Sequence, residues 1–544
     1  MTNAHNPKGS RLDMPLARLR QWPALFAIVA LVALVGCQAA GPRAPAKFQG
    51  AIVGDEAQSM LAARQVLLAG GSAADAAVAL TFALSATYPS AASLGGGGQC
   101  VVYVRLTGGD RILALDFLPG RASEPTGDGW ASAVPGTVRG MDALHGRFGR
   151  LPWSRTLQAA ERLARHGHPV SRALAADLLA GGDALNRDPA ARAIFSRSDG
   201  LPYSVARSGG IPRALGQTIV QRDLWVLLTR LRRAGAADFY TGLIGRLLVK
   251  AVDRTGGTLR AEDLAGYQAH WRGTLSLAAA NKELHTVPGS GGAVATAIWA
   301  LAGAEGRYAE AEEAERYRLL AEAGQRAFSQ PPIASEGALE RDALASAAGD
   351  DGAESGTAPE GDAGPVLSDV PTTSFAIVDR NGMAVACGLT MNELFGAGRL
   401  APGTGIVLAA PPEPNSASPI APVVLVNRQS EKLHLAASAG GGRVAPSALA
   451  TVLLALIDDE RPLGEAVTSP RVHVKRAADS VTVEPWLDAA TRAELEARGH
   501  RVVEVPVIGR VNAIHCPDGV SREATSCRDR SDGRRASAGA GESP

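Results

Sequence analysis

Residues 371–398 read PTTSFAIVDRNGMAVACGLTMNELFGAG. Two β-like runs flank Asn381-Gly382. Phe375, Ile377 and Asp379 alternate with Ala376 and Val378, and residues 383–389 form a second, mostly apolar run. Asn-Gly between two such runs is the strongest short-range hairpin signal, because both residues tolerate φ > 0. Thr372 and Thr373 stand just before the first strand. Before them, residues 331–370 are acidic, rich in Gly, Ala and Pro, and free of aromatics. Such a segment cannot bury enough apolar surface to fold, so it is expected to be disordered. A hydroxyl at the mouth of a strand, behind a disposable linker, is the layout of a nucleophile exposed by self-cleavage.

Composition narrows the function classes. The net charge of +1 and an aromatic content of 4% give no reason to expect nucleic acid as a partner. Hydrophobic residues make up 46%, enough for a sizeable core, and 544 residues suffice for one large domain or two or three ordinary ones. Five cysteines are too few for a disulfide framework, although Cys516 and Cys527 are close enough in sequence to pair in an oxidising compartment.

Residues 1–36 are expected to be a targeting segment. Arg11, Arg18 and Arg20 form a basic start, and residues 22–35 form an apolar run shorter than the ~20 residues of a spanning helix. The run ends in Leu34-Val35-Gly36-Cys37, which resembles a bacterial lipobox with Cys37 as the lipidated residue. Residues 37–49 would then be a tether to the cell envelope, facing the periplasm and leaning to the outer membrane because Gln38, not Asp, follows.

Asp55 opens a helical pattern that closes at Gly70-Gly71, and Ser72-Ala-Ala-Asp75 is a capping-box start for a second helix. Gly95–Gly98 are not followed by Lys-Ser/Thr, so they read as a close backbone approach rather than a phosphate loop. Residues 101–106 and 112–117 form a predicted hairpin, and residues 133–330 read as mostly helical. His166 and His168 lack the neighbours of a metal pair. Further strands are expected at 423–426, 433–437, 481–484 and 501–507, and helices at 444–457 and 487–498. The tail after Arg528 reads as frayed.

Several motifs occur in an order that resembles one family. The 371–396 stretch is similar to the start of the small subunit of γ-glutamyltransferases, which are N-terminal-nucleophile (Ntn) hydrolases. Residues 70–98, ALDF at 114–117, VPGTVRG at 134–140, DLAGY at 263–267, PGSGG at 288–292, SAGGGR at 438–443 and SPRVH at 469–473 extend the match. The resemblance implies an α+β fold, an αββα four-layer sandwich. It implies cleavage at Pro371-Thr372 into a large-subunit region (50–371, with 331–371 as the linker) and a small-subunit region (372–544) that remain associated. Thr372, the first of the pair, would be the nucleophile, with Thr373 as its rival. Its freed α-amine, with a pKa near ~8, would be the base that a weakly nucleophilic hydroxyl needs.

By the same resemblance Thr390 hydrogen-bonds the nucleophile, Asn392 and Ser418 bind substrate, and Gly440 and Gly441 supply oxyanion-hole N–H groups. No cofactor or metal is implied. The chain also departs from the family. Leu118 stands where an arginine holds the substrate α-carboxylate; Arg121 is the nearest substitute. Leucine cannot imitate a bidentate guanidinium. Glu413 alone offers a carboxylate in the amine-binding stretch, Pro419 replaces the second of two serines, and the lid between these stretches is nearly absent. The expected activity is transfer of a γ-glutamyl group from a small amide to an amine or water. The alternatives are an Ntn amidase acting on another acyl group or a γ-linked polymer, and a non-catalytic envelope lipoprotein.

Overall fold

The computed structural model describes residues 48–106, 109–123, 130–196, 217–347, 372–413, 418–474, 480–521 and 527–534. The chain divides into two units, residues 1–46 and residues 47–544, and everything below concerns the second. The strands of its two large sheets, in chain order, begin with β1 (Gly50–Gly54), β2 (Gly97–Val104), β3 (Arg111–Phe117) and β4 (His270–Arg272). They continue with β5 (Leu275–Ala279), β6 (Lys282–Thr286), β7 (Gly337–Glu340), β8 (Thr372–Asp379) and β9 (Ala384–Thr390). The last are β10 (Ala421–Asn427), β11 (Leu433–Gly440), β12 (Arg510–His515) and β13 (Arg528–Arg530). One sheet has the order β1-β8-β9-β2-β3-β4 and the other β7-β5-β6-β10-β11-β12-β13.

The two sheets face each other, and helices cover their outer faces. Helices α1 (Ala57–Leu68), α2 (Ala73–Thr87) and α3 (Thr137–Phe148) lie against the first sheet. Helices α4 (Gly291–Gly303), α6 (Arg341–Ala347) and α7 (Ala445–Leu453) lie against the second, and α5 (Glu313–Ser329) packs on α4. The period-2 alternation of strands builds this directly. In β8, Phe375 and Ile377 join the apolar layer under α2, whereas Ala376 and Val378 join the layer between the sheets. Ala384, Ala386 and Ala436 keep that central layer thin. The α+β, four-layer Ntn sandwich expected from the sequence is therefore what forms.

The 371–398 hairpin is present, with β8 and β9 paired from Thr372 opposite Thr390 to Val378 opposite Ala384. Its turn differs in detail. Only Gly382 takes a positive φ, of 86°, and Asp379 Oδ1 caps the loop by accepting the N–H groups of Asn381 and Met383. The predicted capping box also forms. Ser72 Oγ accepts the Asp75 N–H at 3.1 Å and Asp75 accepts the Ser72 N–H at 2.9 Å. At Gly97 and Gly98 a side chain would lie 2.2 Å from the Phe117 oxygen and 2.3 Å from the Gly388 oxygen, so these glycines allow a close backbone approach, but inside β2 rather than before it.

Four expectations need correction. The 133–330 region is not simply helical: β4, β5 and β6 lie within it, reading HWR, LSLAA and KELHT, segments too short to show a period. The linker is not structureless from 331. β7 pairs in parallel with β5, and Leu339 and Leu344 pack on the second core, with Arg341 held by Asp458. The tail is built in as far as Arg534, whose guanidinium reaches Glu484 at 2.7 Å. Lastly, α1 starts at Ala57 with Glu56 as its cap, which leaves Asp55 outside the helix.

The cysteines also do more than expected. Cys516 and Cys527 are bonded, and so are Cys100 and Cys387, which face each other across β2 and β9.

Candidate active site

Thr372 opens β8 and is fully buried. Its Oγ1 accepts two main-chain hydrogen bonds, from Gly441 N–H at 2.8 Å and Gly442 N–H at 3.1 Å. The glycine run explains this aim. Gly440 is the last residue of β11 and still pairs with Arg510. The chain then turns through the left-handed region, with φ 118° at Gly441 and 65° at Gly442, which swings both N–H groups toward Thr372. Gly440 lies so close that a side chain there would sit 2.8 Å from the Thr372 carbonyl oxygen. The N–H groups on the Thr372 hydroxyl are thus those of Gly441 and Gly442, next to Gly440. Two N–H groups converging on one oxygen stabilise negative charge on it.

Thr390 ends β9 directly opposite Thr372. Its Oγ1 accepts the Asn392 N–H at 2.9 Å. Asn392 adopts φ 64° and donates from Nδ2 to the Ala410 oxygen at 2.7 Å, which ties this corner to residues 410–413. That segment gathers two more of the named residues. Arg121 donates to the Pro412 oxygen at 3.1 Å, and Glu413 pairs with Arg443 at 3.1 Å on the surface. Burial pushes the nearby Glu393 carboxyl up, reinforced by Glu413 and opposed by Arg443. Ser418 bridges to Ser290, and its main-chain carbonyl oxygen accepts the Gly291 N–H at 2.7 Å. The Ser418 hydroxyl is buried without a partner among the described residues. Cys37 lies outside the described residues. Among those described, no cluster of three His, Cys, Asp or Glu side chains could hold a metal ion.

Sequence reasoning did not single out what lies beneath Thr372. Asp55, Arg510 and Asn512 are buried there and bond to one another and to residues 372–374. One signal was available: Asp55-Glu56 supplies two acids at a helix start where a single one suffices as cap.

A buried threonine at the head of a central strand, two N–H groups on its oxygen and an αββα sandwich define an Ntn-type acyl-transfer enzyme. The comparisons agree and name the family. The profile described as Gamma-glutamyltranspeptidase matches residues 59–541, so the chain belongs to the γ-glutamyltranspeptidase family. The chain is 28% identical to the glutathione hydrolase proenzyme of Escherichia coli, over 87% of this chain and 89% of that one. It is 30% identical to the Acylase ACY 1 proenzyme of Pseudomonas sp. (strain SE83), over 88% and 92%. Among solved structures, the cephalosporin acylase from Bacillus halodurans superimposes with a TM-score of 0.72, covering 91% of this chain and 99% of that one at 21% identity, a likeness of fold.

Proposed function

We propose that this Ntn enzyme cuts itself between Pro371 and Thr372 and then transfers or hydrolyses a γ-glutamyl amide through an acyl-enzyme on Thr372. The observation that carries the reading is the pair of Gly441 and Gly442 N–H groups on the Thr372 oxygen. The Thr372 amine, once free, takes the hydroxyl proton. Oγ1 attacks the amide carbonyl, the amine leaves with that proton, and water or an amine then resolves the ester. Glycine N–H groups of the 440–442 turn stabilise the charge that develops on the carbonyl oxygen. Thr390 and Asn392 set the strand end opposite, and Arg121, Glu413 and Ser418 border the acyl-binding side.

A second reading, an acylase for another acyl group, is favoured by two specific features. Leu118 stands where a carboxylate clamp would be, and Glu413 is already paired with Arg443. We further infer an envelope location with Cys37 lipidated. Two disulfides fit an oxidising compartment, and a Cys37→Ser chain that still partitions with membranes would sink the anchor.

The purified protein and a Thr372→Ala variant on a reducing, denaturing gel test the mechanism. Two fragments from the parent and one band from the variant are expected, with Thr372 at the head of the smaller fragment. An uncut parent overturns the reading. γ-Glutamyl anilide turned over in preference to other acyl anilides supports the glutamyl substrate; the reverse preference selects the acylase.

A further inference from the structure

Thr372 rests on a buried ion pair to which neither the fold nor the mechanism above assigns a task. Arg510 donates from Nη2 to the Thr372 carbonyl oxygen at 2.9 Å. Its Nε lies 3.5 Å from Asp55 Oδ2, and the two side chains are only 3% and 1% exposed. Asp55 Oδ2 also accepts the Thr373 hydroxyl at 3.0 Å and the Ser374 N–H at 3.3 Å. Its Oδ1 accepts from Asn512 Nδ2 at 2.8 Å, and the same nitrogen reaches the Ser374 carbonyl oxygen and hydroxyl at 3.0 Å each. One carboxylate and one guanidinium thereby fix the main chain or side chain of three consecutive residues, starting at the nucleophile.

We propose that Asp55 and Arg510 are a positioning pair that holds the head of β8 and sets the proton affinity of the Thr372 amine in the mature enzyme. The proposal rests on Thr372 being the nucleophile. Burying an ion pair costs desolvation and adds little stability over an apolar pair. Here the guanidinium is bonded to the residue whose amine must be unprotonated to act as base, and the carboxylate to the two residues that follow it. A cation beside an amine disfavours the ammonium, and a carboxylate favours it. The pair therefore exerts opposed and adjustable pulls on that proton.

The other charged groups around this part of the fold have partners of their own or lie at the far ends of the strands. β9 presents Thr390, and the 440–442 turn presents main chain. α2 carries one acid, Asp75, which is held by Ser72 and by the N–H groups of Arg150 and Leu151. Glu56 caps α1 and accepts from Thr87. Asp379 lies at the far end of β8 and His434 at the far end of β11. Arg471, Asp532, Arg534 and Glu484 form their own network behind Gly509. Glu393, Glu413 and Arg443 lie around the 392–413 rim.

The test is the acidic limb of the kcat/KM profile against pH, measured on the mature protein with the anilide it turns over. Arg510→Gln should move that limb to higher pH and Asp55→Asn to lower pH, each by about one unit. The double variant, neutral at both positions, should return near the parent, and Arg510→Lys should keep the limb in place. Limbs that stay fixed, or that shift in the same direction in both single variants, overturn the proposal. If a single variant is folded but uncut, restoration of cutting in the double variant supports the pair, and failure to restore it counts against. N-terminal sequencing of the smaller fragment keeps the two ideas apart. A head residue other than Thr372 defeats the nucleophile reading, whatever the limbs do.

Discussion

The N–H of Gly441 meets the Oγ1 of Thr372 at 2.8 Å, although 69 positions separate the two residues in sequence. The contact exists because Gly441 holds φ 118°, which a residue with a side chain rarely adopts, and because its Cα side faces Gly509. A side chain at 441 would sit 2.7 Å from the Gly509 Cα. Gly441→Ala is therefore expected to lower turnover by about 10²–10³-fold, the loss typical of one oxyanion-type donor. KM should change far less. A kcat within threefold of the parent would refute the aim of this N–H.

The same Gly509 is held from behind. Arg471, fully buried, donates to the Gly509 oxygen at 2.8 Å and the Ile508 oxygen at 3.0 Å, and pairs with Asp532 at 2.6 Å. Removing one member of a buried pair leaves the other uncompensated, at about 3–5 kcal/mol. Asp532→Asn should lower stability by that order in a denaturant titration. It should also slow turnover through the 509–441 contact. An unchanged midpoint would show that the tail is dispensable.

His434 and His515 touch through their Nε2 atoms at 3.3 Å. Burial, the Lys282 cation and, at His434, the neighbouring His515 push His434 down to about 4. Burial, Lys282 and Arg528 do the same to His515, also to about 4. In the unfolded chain both bind protons near the ordinary value of ~6.5. Below that pH the unfolded state takes up protons that the folded state refuses, so stability is full above pH ~6.5 and falls progressively toward pH 4. Thermal melts across this window should show a falling Tm, and His434→Gln with His515→Gln should flatten the slope. An unaltered slope in the double variant would assign the acid sensitivity elsewhere.

Local signals made much of this legible. The Asn-Gly hairpin, the Ser72–Asp75 box and the close-approach glycines rest on neighbours in sequence, and all three form, the glycines inside β2 rather than ahead of it. The resemblance pointed to Thr372 and to the glycine run, and the fold brings the two together. Long-range pairing was not legible. Asp55 and Arg510 are 455 positions apart, since 510 − 55 = 455, and neither has a local pattern that names the other. β5 is buried along its whole length and β6 is only five residues long and half-buried, and β6 pairs with residues 423–427, so neither showed a clear period in sequence. Arg534 looked like a polar tail residue because its acids, Glu484 and Asp532, gather only in the fold.

The Cys100–Cys387 bond closes residues 100–387 into a ring, and the proposed cut after Pro371 falls inside that ring. Self-cleavage then opens a ring rather than dividing a molecule. Mature protein should run as one band without thiol and as two with it. Its halves would be inseparable by dilution or denaturant while the sulfurs stay oxidised, and the lifetime of the assembled enzyme would become a question of redox chemistry.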